Sequence, residues 1–197
     1  MKNFWDERFA GSNYVYGTAP NTFFKQELDK LTPGKLLLPG EGEGRNAVYA
    51  AQQGWQVLAF DSSYEGQKKA LQLASNHQVE LDYQLASYES MPIPEEAFDC
   101  IGLVYTHLPP IPRQALHQKL AAGLKPGGTL IMETFSKAQI NNNTGGPRDI
   151  NMLFSKKELA ADFSSFSHLQ FEELEMELDE GDFHQGHSAL IRLIGVK

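Results

Sequence analysis

Leu36-Leu37-Leu38-Pro39-Gly40-Glu41-Gly42-Glu43-Gly44-Arg45-Asn46 is the stretch on which the reading of this chain turns. Lys35 to Pro39 is a short apolar run, the length of a buried strand. It breaks on three alternate glycines, and the segment from about Arg45 to Gln52, ended by Gly54, reads as a helix. Strand, glycine loop, helix is the unit that places a ligand at the carboxyl end of a strand, where missing side chains let the ligand approach the backbone.

Working outward, Trp55 to Phe60 is a second strand that stops at Asp61, followed by a helix over Tyr64 to Ser75 and a strand near Val79 to Leu85. Asp99 to Tyr105 is the fourth strand and Arg113 to Leu124 the next helix. Lys125-Pro126-Gly127-Gly128 is a turn, and Thr129 to Thr134 a fifth strand. Ahead of all these, Asn21 caps a helix through Leu31, stopped by Pro33-Gly34. Strands alternating with helices predict a parallel sheet covered on both faces. The last third differs. A capping box, Ser155 with Glu158, opens a helix to about Phe163, and the runs Phe171 to Leu178 and Ser188 to Val196 form a hairpin at the sheet edge. The expected fold is α/β: a Rossmann-like, doubly wound, mostly parallel seven-stranded sheet with helices on both faces and an antiparallel C-terminal hairpin strand. With no repeat or linker, residues 1–197 read as a single domain.

The 197 residues are enough for one real core. Seventeen Lys and Arg against 25 Asp and Glu give a net charge of −8, which disfavours nucleic acid as a partner. No run of ~18 apolar residues supplies a membrane span. The start, Met1 to Arg8, lacks the basic-then-apolar layout of a signal peptide, so a cytoplasmic protein is expected. Cys100 is the single cysteine, which excludes an internal disulfide and a Cys-based zinc cage. Inside a buried strand, it reads as inert core.

Asp61 stands ~20 residues past the glycines, where a carboxylate accepts ribose hydroxyls. A dinucleotide fingerprint would place its third glycine at position 45, which is Arg45. Glu41 and Glu43 inside the loop would repel a pyrophosphate at the helix N-terminus. S-adenosylmethionine has no phosphate and carries a sulfonium and an ammonium, so the loop favours it over NAD. The plainer alternative leaves both glutamates solvated on the loop rim.

With these residues in place, the chain resembles a class I S-adenosylmethionine-dependent methyltransferase, and within that class the branch of tellurite-resistance and thiopurine methyltransferases. Trp5-Asp6-Glu7-Arg8-Phe9 and Tyr16-Gly17-Thr18-Ala19-Pro20-Asn21 resemble the branch's N-terminal segment, and Leu36 to Asn46 its motif I. Asp61 resembles the acid of motif II, Phe98-Asp99-Cys100-Ile101 the opening of motif IV, and Leu124 to Gly128 the turn before motif V. Thr144-Gly145-Gly146-Pro147 before a capped helix also occurs in this branch. The resemblance implies cofactor contacts from Tyr16, Gly40, Glu41, Gly42, Gly44, Asn46, Asp61, Ser62, Ser87, Tyr88 and Tyr105. The chain departs from the family at Leu38, where an acid is usual, and at Ser87, where motif III usually has an Asp. Glu41 is the candidate for the first role; for the second, either Ser87 hydrogen-bonds the adenine or backbone groups suffice.

Methyl transfer to a small-molecule acceptor is an in-line displacement that needs alignment more than a dedicated base. For a hydroxyl acceptor the base candidate is His107, just past the fourth strand; the ordinary alternative is that it packs over the cofactor or satisfies a loop carbonyl. Leu108-Pro109-Pro110-Ile111 lacks the Asn or Asp and the aromatic residue of a DNA amino-methyltransferase. Trp5, Tyr14 and Tyr16 in residues 1–20 form a candidate lid, or simply pin the N-terminus. The loop from Asn141 to Pro147 is placed to bound the acceptor pocket, with Arg148 either attracting an anion or solvated. His184 and His187 lack a third metal ligand in view, and no metal is expected; if their hairpin reaches the site's rim, as the resemblance implies, either one touches an acceptor, while His77, His117 and His168 show no partner pattern. Two other readings stay open: a non-catalytic adenosylmethionine sensor, and an NAD-dependent oxidoreductase. A monomer or weak dimer is expected.

Overall fold

The computed structural model describes residues 2–197, with side chains from Phe4 onward. Among the described residues the strands are β1 Lys35–Pro39, β2 Gln56–Asp61, β3 Asp82–Leu85, β4 Phe98–Val104, β5 Leu124–Phe135, β6 His168–Asp179 and β7 Gln185–Val196. The helices are α1 Lys2–Phe9, α2 Thr22–Leu28, α3 Arg45–Gln52, α4 Tyr64–Asn76, α5 Pro110–Gly123 and α6 Lys156–Asp162. One sheet holds all the strands in the order β3-β2-β1-β4-β5-β7-β6. The first five are parallel, and β7 runs antiparallel to both of its neighbours. The order reverses between β1 and β4, which opens a crevice at their carboxyl ends.

β1 is apolar on both faces because both are covered. Leu36 and Leu38 point into a core with Phe24 and Leu28 of α2 and Ala47 and Ala50 of α3. Leu37 points the other way, into a core with Leu116 and Leu120 of α5 and Leu159 of α6. Local signals end the helices as the sequence requires. The Asn21 side chain accepts the Phe24 N–H, and Ser155 with Glu158 completes a capping box on α6. β6 forms one sheet edge, and its exposed glutamates 172, 173, 175 and 177 disfavour pairing with another chain.

Several boundaries differ from the sequence reading. Residues 2–9 form a helix where only an aromatic segment was evident, and α2 stops at Leu28. The expected turn at 125–128 is absorbed into β5, with a register shift between Phe98 and Cys100 of the facing strand. The hairpin strands are longer than expected, and the later one, β7, is inserted between β5 and β6. His117 does have partners. Its Nδ1 lies 2.8 Å from Asp162, which also accepts from Arg113 Nε at 2.9 Å, a buried cluster tying α5 to α6. Arg113 and His117 share one face of α5, but their partner lies 49 and 45 residues further along the chain, a separation that leaves no pattern a linear reading could see.

Candidate active site

A cavity of about 890 Å³ lies over the carboxyl ends of the central strands. Gly40, Glu41, Gly42, Asn46, Asp61, Ser62, Ser87, Tyr88, Tyr105 and His107 line its floor and sides. α1, the β6–β7 loop and the loop at 143–148 complete the wall.

The glycine loop adopts left-handed backbone at Gly40 (φ 66°), Gly42 (φ 61°) and Gly44 (φ 88°). At Gly40 a side chain would run into the hydroxyl of Tyr88. Gly42 donates its N–H to Asp61 Oδ2 at 3.1 Å, and its carbonyl accepts from the Tyr83 hydroxyl at 2.6 Å. Gly44 serves a different purpose. It is absent from the cavity wall, and a Cβ there would stand 2.5 Å from the Cβ of Ala70, so the glycine lets α3 and α4 pack closely.

The two loop glutamates are both engaged, and neither is solvated on the rim. Glu41 Oε1 accepts the N–H groups of Asn46 and Ala47, each at 2.8 Å, and so caps α3. Burial pushes its carboxyl up to about 7, against those bonds and the nearby Arg45. Glu43 is buried and accepts the Val15 N–H at 2.8 Å and Lys69 Nζ at 2.8 Å, pinning the N-terminal segment to α4. The N-terminus of α3, where a pyrophosphate would dock, is therefore already occupied by a carboxylate.

Asp61 accepts the Ser63 N–H at 2.8 Å as well as that of Gly42, and burial raises its carboxyl above the ordinary range. The Ser62 N–H is a third backbone partner, and the carboxylate retains acceptor capacity for a further donor. Ser87 makes a small turn with Ser90, its Oγ accepting the Ser90 N–H at 3.2 Å. Asn46 Oδ1 accepts the Asn21 N–H at 2.9 Å.

Beyond β4, Tyr105 is held at φ 52°, a costly conformation for a tyrosine. Its hydroxyl donates to Glu133 at 2.9 Å, and its ring packs against both Phe135 and His184, at centroid distances of 4.8 and 4.3 Å, with those two rings 5.2 Å from each other. His107 uses both nitrogens. Nδ1–H donates to the Met152 carbonyl at 2.8 Å, and Nε2 accepts from the Thr134 hydroxyl at 3.3 Å. Burial drives its pKa down to about 4, so the ring is neutral near pH 7.

Phe135, Met152 and Phe183 escape the sequence reading because they arrive from distant segments, whereas His184 is one of the two histidines it weighs for a hairpin that reaches the rim. His184 is buried, its ring 4.5 Å from that of Tyr16. Its Nδ1 lies 3.9 Å from Glu180 and makes no hydrogen bond among the described residues. Glu180 also pairs with Arg45 at 2.8 Å; burial opposes its charge, but His184 and Arg45 bring the carboxyl down to about 2. His187 diverges to the surface, beside Glu175 and Glu177. Of the three candidate lid residues, Trp5 and Tyr16 line the cavity, together with Phe4 and Phe9. Tyr14 does not; its hydroxyl donates to the Lys69 carbonyl at 3.0 Å. Arg148 is exposed, and Cys100 is buried with its thiol pushed up by burial.

Comparison with known proteins bears on this geometry. Residues 37–128 match the model of a methyltransferase domain family. No curated protein matches. Among solved structures, one describing conversion of a disulfide bond into a thioacetal group during echinomycin biosynthesis superposes with a TM-score of 0.75 and 16% identity, over 100% of this chain and 92% of that one. TehB from Haemophilus influenzae gives 0.74 and 15%, over 100% of this chain and 66% of its own. A SAM-dependent methyltransferase from Methanosarcina mazei gives 0.69 and 18%, over 86% and 95%. The fold is therefore that of these proteins.

Proposed function

We propose, from the premise that residues 37–128 carry a methyltransferase domain, that this chain is an S-adenosylmethionine-dependent methyltransferase acting on a small-molecule acceptor. The observation that carries the choice of cofactor is Glu41. It fills the N-terminus of α3, so that site offers no purchase to a pyrophosphate, while a carboxylate at the loop suits a cationic nucleoside. Asp61 offers lone pairs to ribose hydroxyls, and Ser62, Ser87 and Tyr88 line the cavity beside it. When bound, the cofactor supplies a methyl group activated on a positively charged sulfur.

The chain's own work is alignment and exclusion of water. Trp5 and Tyr16 cover the cavity as a lid, and Tyr105, Phe135 and His184 supply a close-packed aromatic wall. His107 contributes as a neutral ring that holds the β4 loop to Met152. A thiol, chalcogen oxyanion or small acid acceptor fits such a site, since these need little or no general base. Affinity to the tellurite-resistance and thiopurine branch, a single domain over 1–197 and a cytoplasmic location belong to the same proposal. No helix is long and apolar enough to cross a membrane among the described residues.

Calorimetric titration with adenosylmethionine, adenosylhomocysteine and NAD tests the cofactor. Binding of the first two without NAD is the expected result; tight NAD binding with no response to adenosylhomocysteine would sink the proposal. A methyl-transfer screen over thiols, chalcogen oxyanions, amines and small carboxylates tests the reaction. Adenosylhomocysteine binding with silence across that screen would favour a sensor.

A further inference from the structure

Three of the five arginines are paired with acids: Arg45 with Glu180, Arg113 with Asp162 and Arg192 with Glu133. Arg8 and Arg148 form no ion pair among the described residues, and both line the cavity. In a chain with net charge −8, two cations left without acids in one cavity call for a ligand of opposite sign.

Arg8 is built to receive it. Its guanidinium lies 3.8 Å from the ring centroid of Phe183, 4.9 Å from that of Phe4 and 6.0 Å from that of Trp5. Stacking holds the plane by its faces and leaves the edge donors available; one of them, Nη1, reaches the Tyr16 hydroxyl at 3.3 Å. A flat, partly dehydrated fork of this kind matches a carboxylate or similar oxyanion bidentately. Arg148 is fixed by donating Nη1 to the Asn142 carbonyl at 2.6 Å. Five acids share the wall, Glu41, Glu43, Asp61, Glu89 and Asp182, and none pairs with either arginine; Glu41, Glu43 and Asp61 are taken up by the glycine loop and its neighbours. Phe135, Phe183 and Met152 give the same cavity apolar surface.

We infer that the methyl acceptor is a small organic anion with an apolar body, its carboxylate or comparable oxyanion held by Arg8, with Arg148 as a second positive charge. The inference rests on the methyltransferase reading and narrows its substrate class. The test is made by calorimetry on protein saturated with adenosylhomocysteine, titrated with matched pairs of small aryl and alkyl carboxylates and their carboxamides. Wild type should bind carboxylates at least tenfold more tightly than amides. Arg8→Gln should reduce that preference below threefold and Arg8→Lys should keep part of it, the acid and amide being compared within each variant so that any change in adenosylhomocysteine binding cancels. Equal affinity for acids and amides, no binding of any carboxylate, or a preference that survives Arg8→Gln would overturn the inference. If Arg8→Gln does not fold, the wild-type preference must shrink as sodium chloride rises, and a salt-independent preference overturns the inference instead. A chain that fails to bind adenosylhomocysteine refutes the parent reading separately, and the carboxylate titrations are then run without it.

Discussion

Asp61 and Glu41 are carboxylates on one cavity, and their surroundings give them different work. Asp61 holds the loop through Gly42 and Ser63 and has lone pairs to spare. Asp61→Ala is expected to weaken adenosylhomocysteine binding by about 1.5–3 kcal/mol, the scale of hydrogen bonds to a charged group. Unchanged affinity by calorimetry would show that the ribose is held elsewhere. Glu41 has its carboxyl raised from 4.5 to about 7. Between those values the folded chain holds a proton that the unfolded chain has lost, so this group's contribution to stability falls as pH rises through that window. Glu41→Gln keeps an oxygen for the Asn46 and Ala47 N–H groups without the buried charge. The variant should be more stable than wild type by about 1–3 kcal/mol at pH 8, with the difference nearly gone at pH 5. Urea unfolding at the two pH values checks this, and a pH-independent difference would contradict it.

At the scale of elements, the three loop glycines look alike in sequence but divide their duties. Gly40 and Gly42 border the cavity; Gly44 lets α3 approach α4. Gly44→Ala combines left-handed backbone with a clash against Ala70 and should cost about 2–4 kcal/mol. Gly54→Ala has a similar φ of 87° but open space around the new Cβ, and should cost only about 1 kcal/mol. Thermal unfolding of both variants compares them; equal losses would show that helix packing does not constrain Gly44. Elements announced by local chemistry were legible here: the Asn21 cap, the Ser155–Glu158 box and the apolar run of β1. Those depending on partners were not. α1 has little apolar periodicity, and it is seated by Phe9 packing under the glycine loop and by Asp6 accepting from Ser63 at 2.7 Å. Residues 125–128 carry turn chemistry, yet pairing with β4 and β7 extends β5 through them.

In the whole molecule, closure of the cavity depends on segments drawn from both ends of the chain: α1, the 143–148 loop and the β6–β7 loop. Deleting residues 1–9 should leave cooperative unfolding of the sheet but weaken adenosylhomocysteine binding at least tenfold, because the cavity opens to water. Unaltered affinity would place α1 outside the cofactor's site. The sequence by itself determined the alternation of strands and helices, the glycine loop with Asp61 beside it, and the antiparallel ending, because each rests on patterns a few residues long. Only the tertiary structure decided what the polar residues do. It turned Glu41 into a helix cap, Glu43 into an anchor and His107 into a neutral, doubly bonded ring, and it brought His184 and Arg8 into one cavity wall. A side chain's charge and role follow from burial and from partners up to 159 residues away, as with Asn21 and Glu180, and such distances leave no local signature.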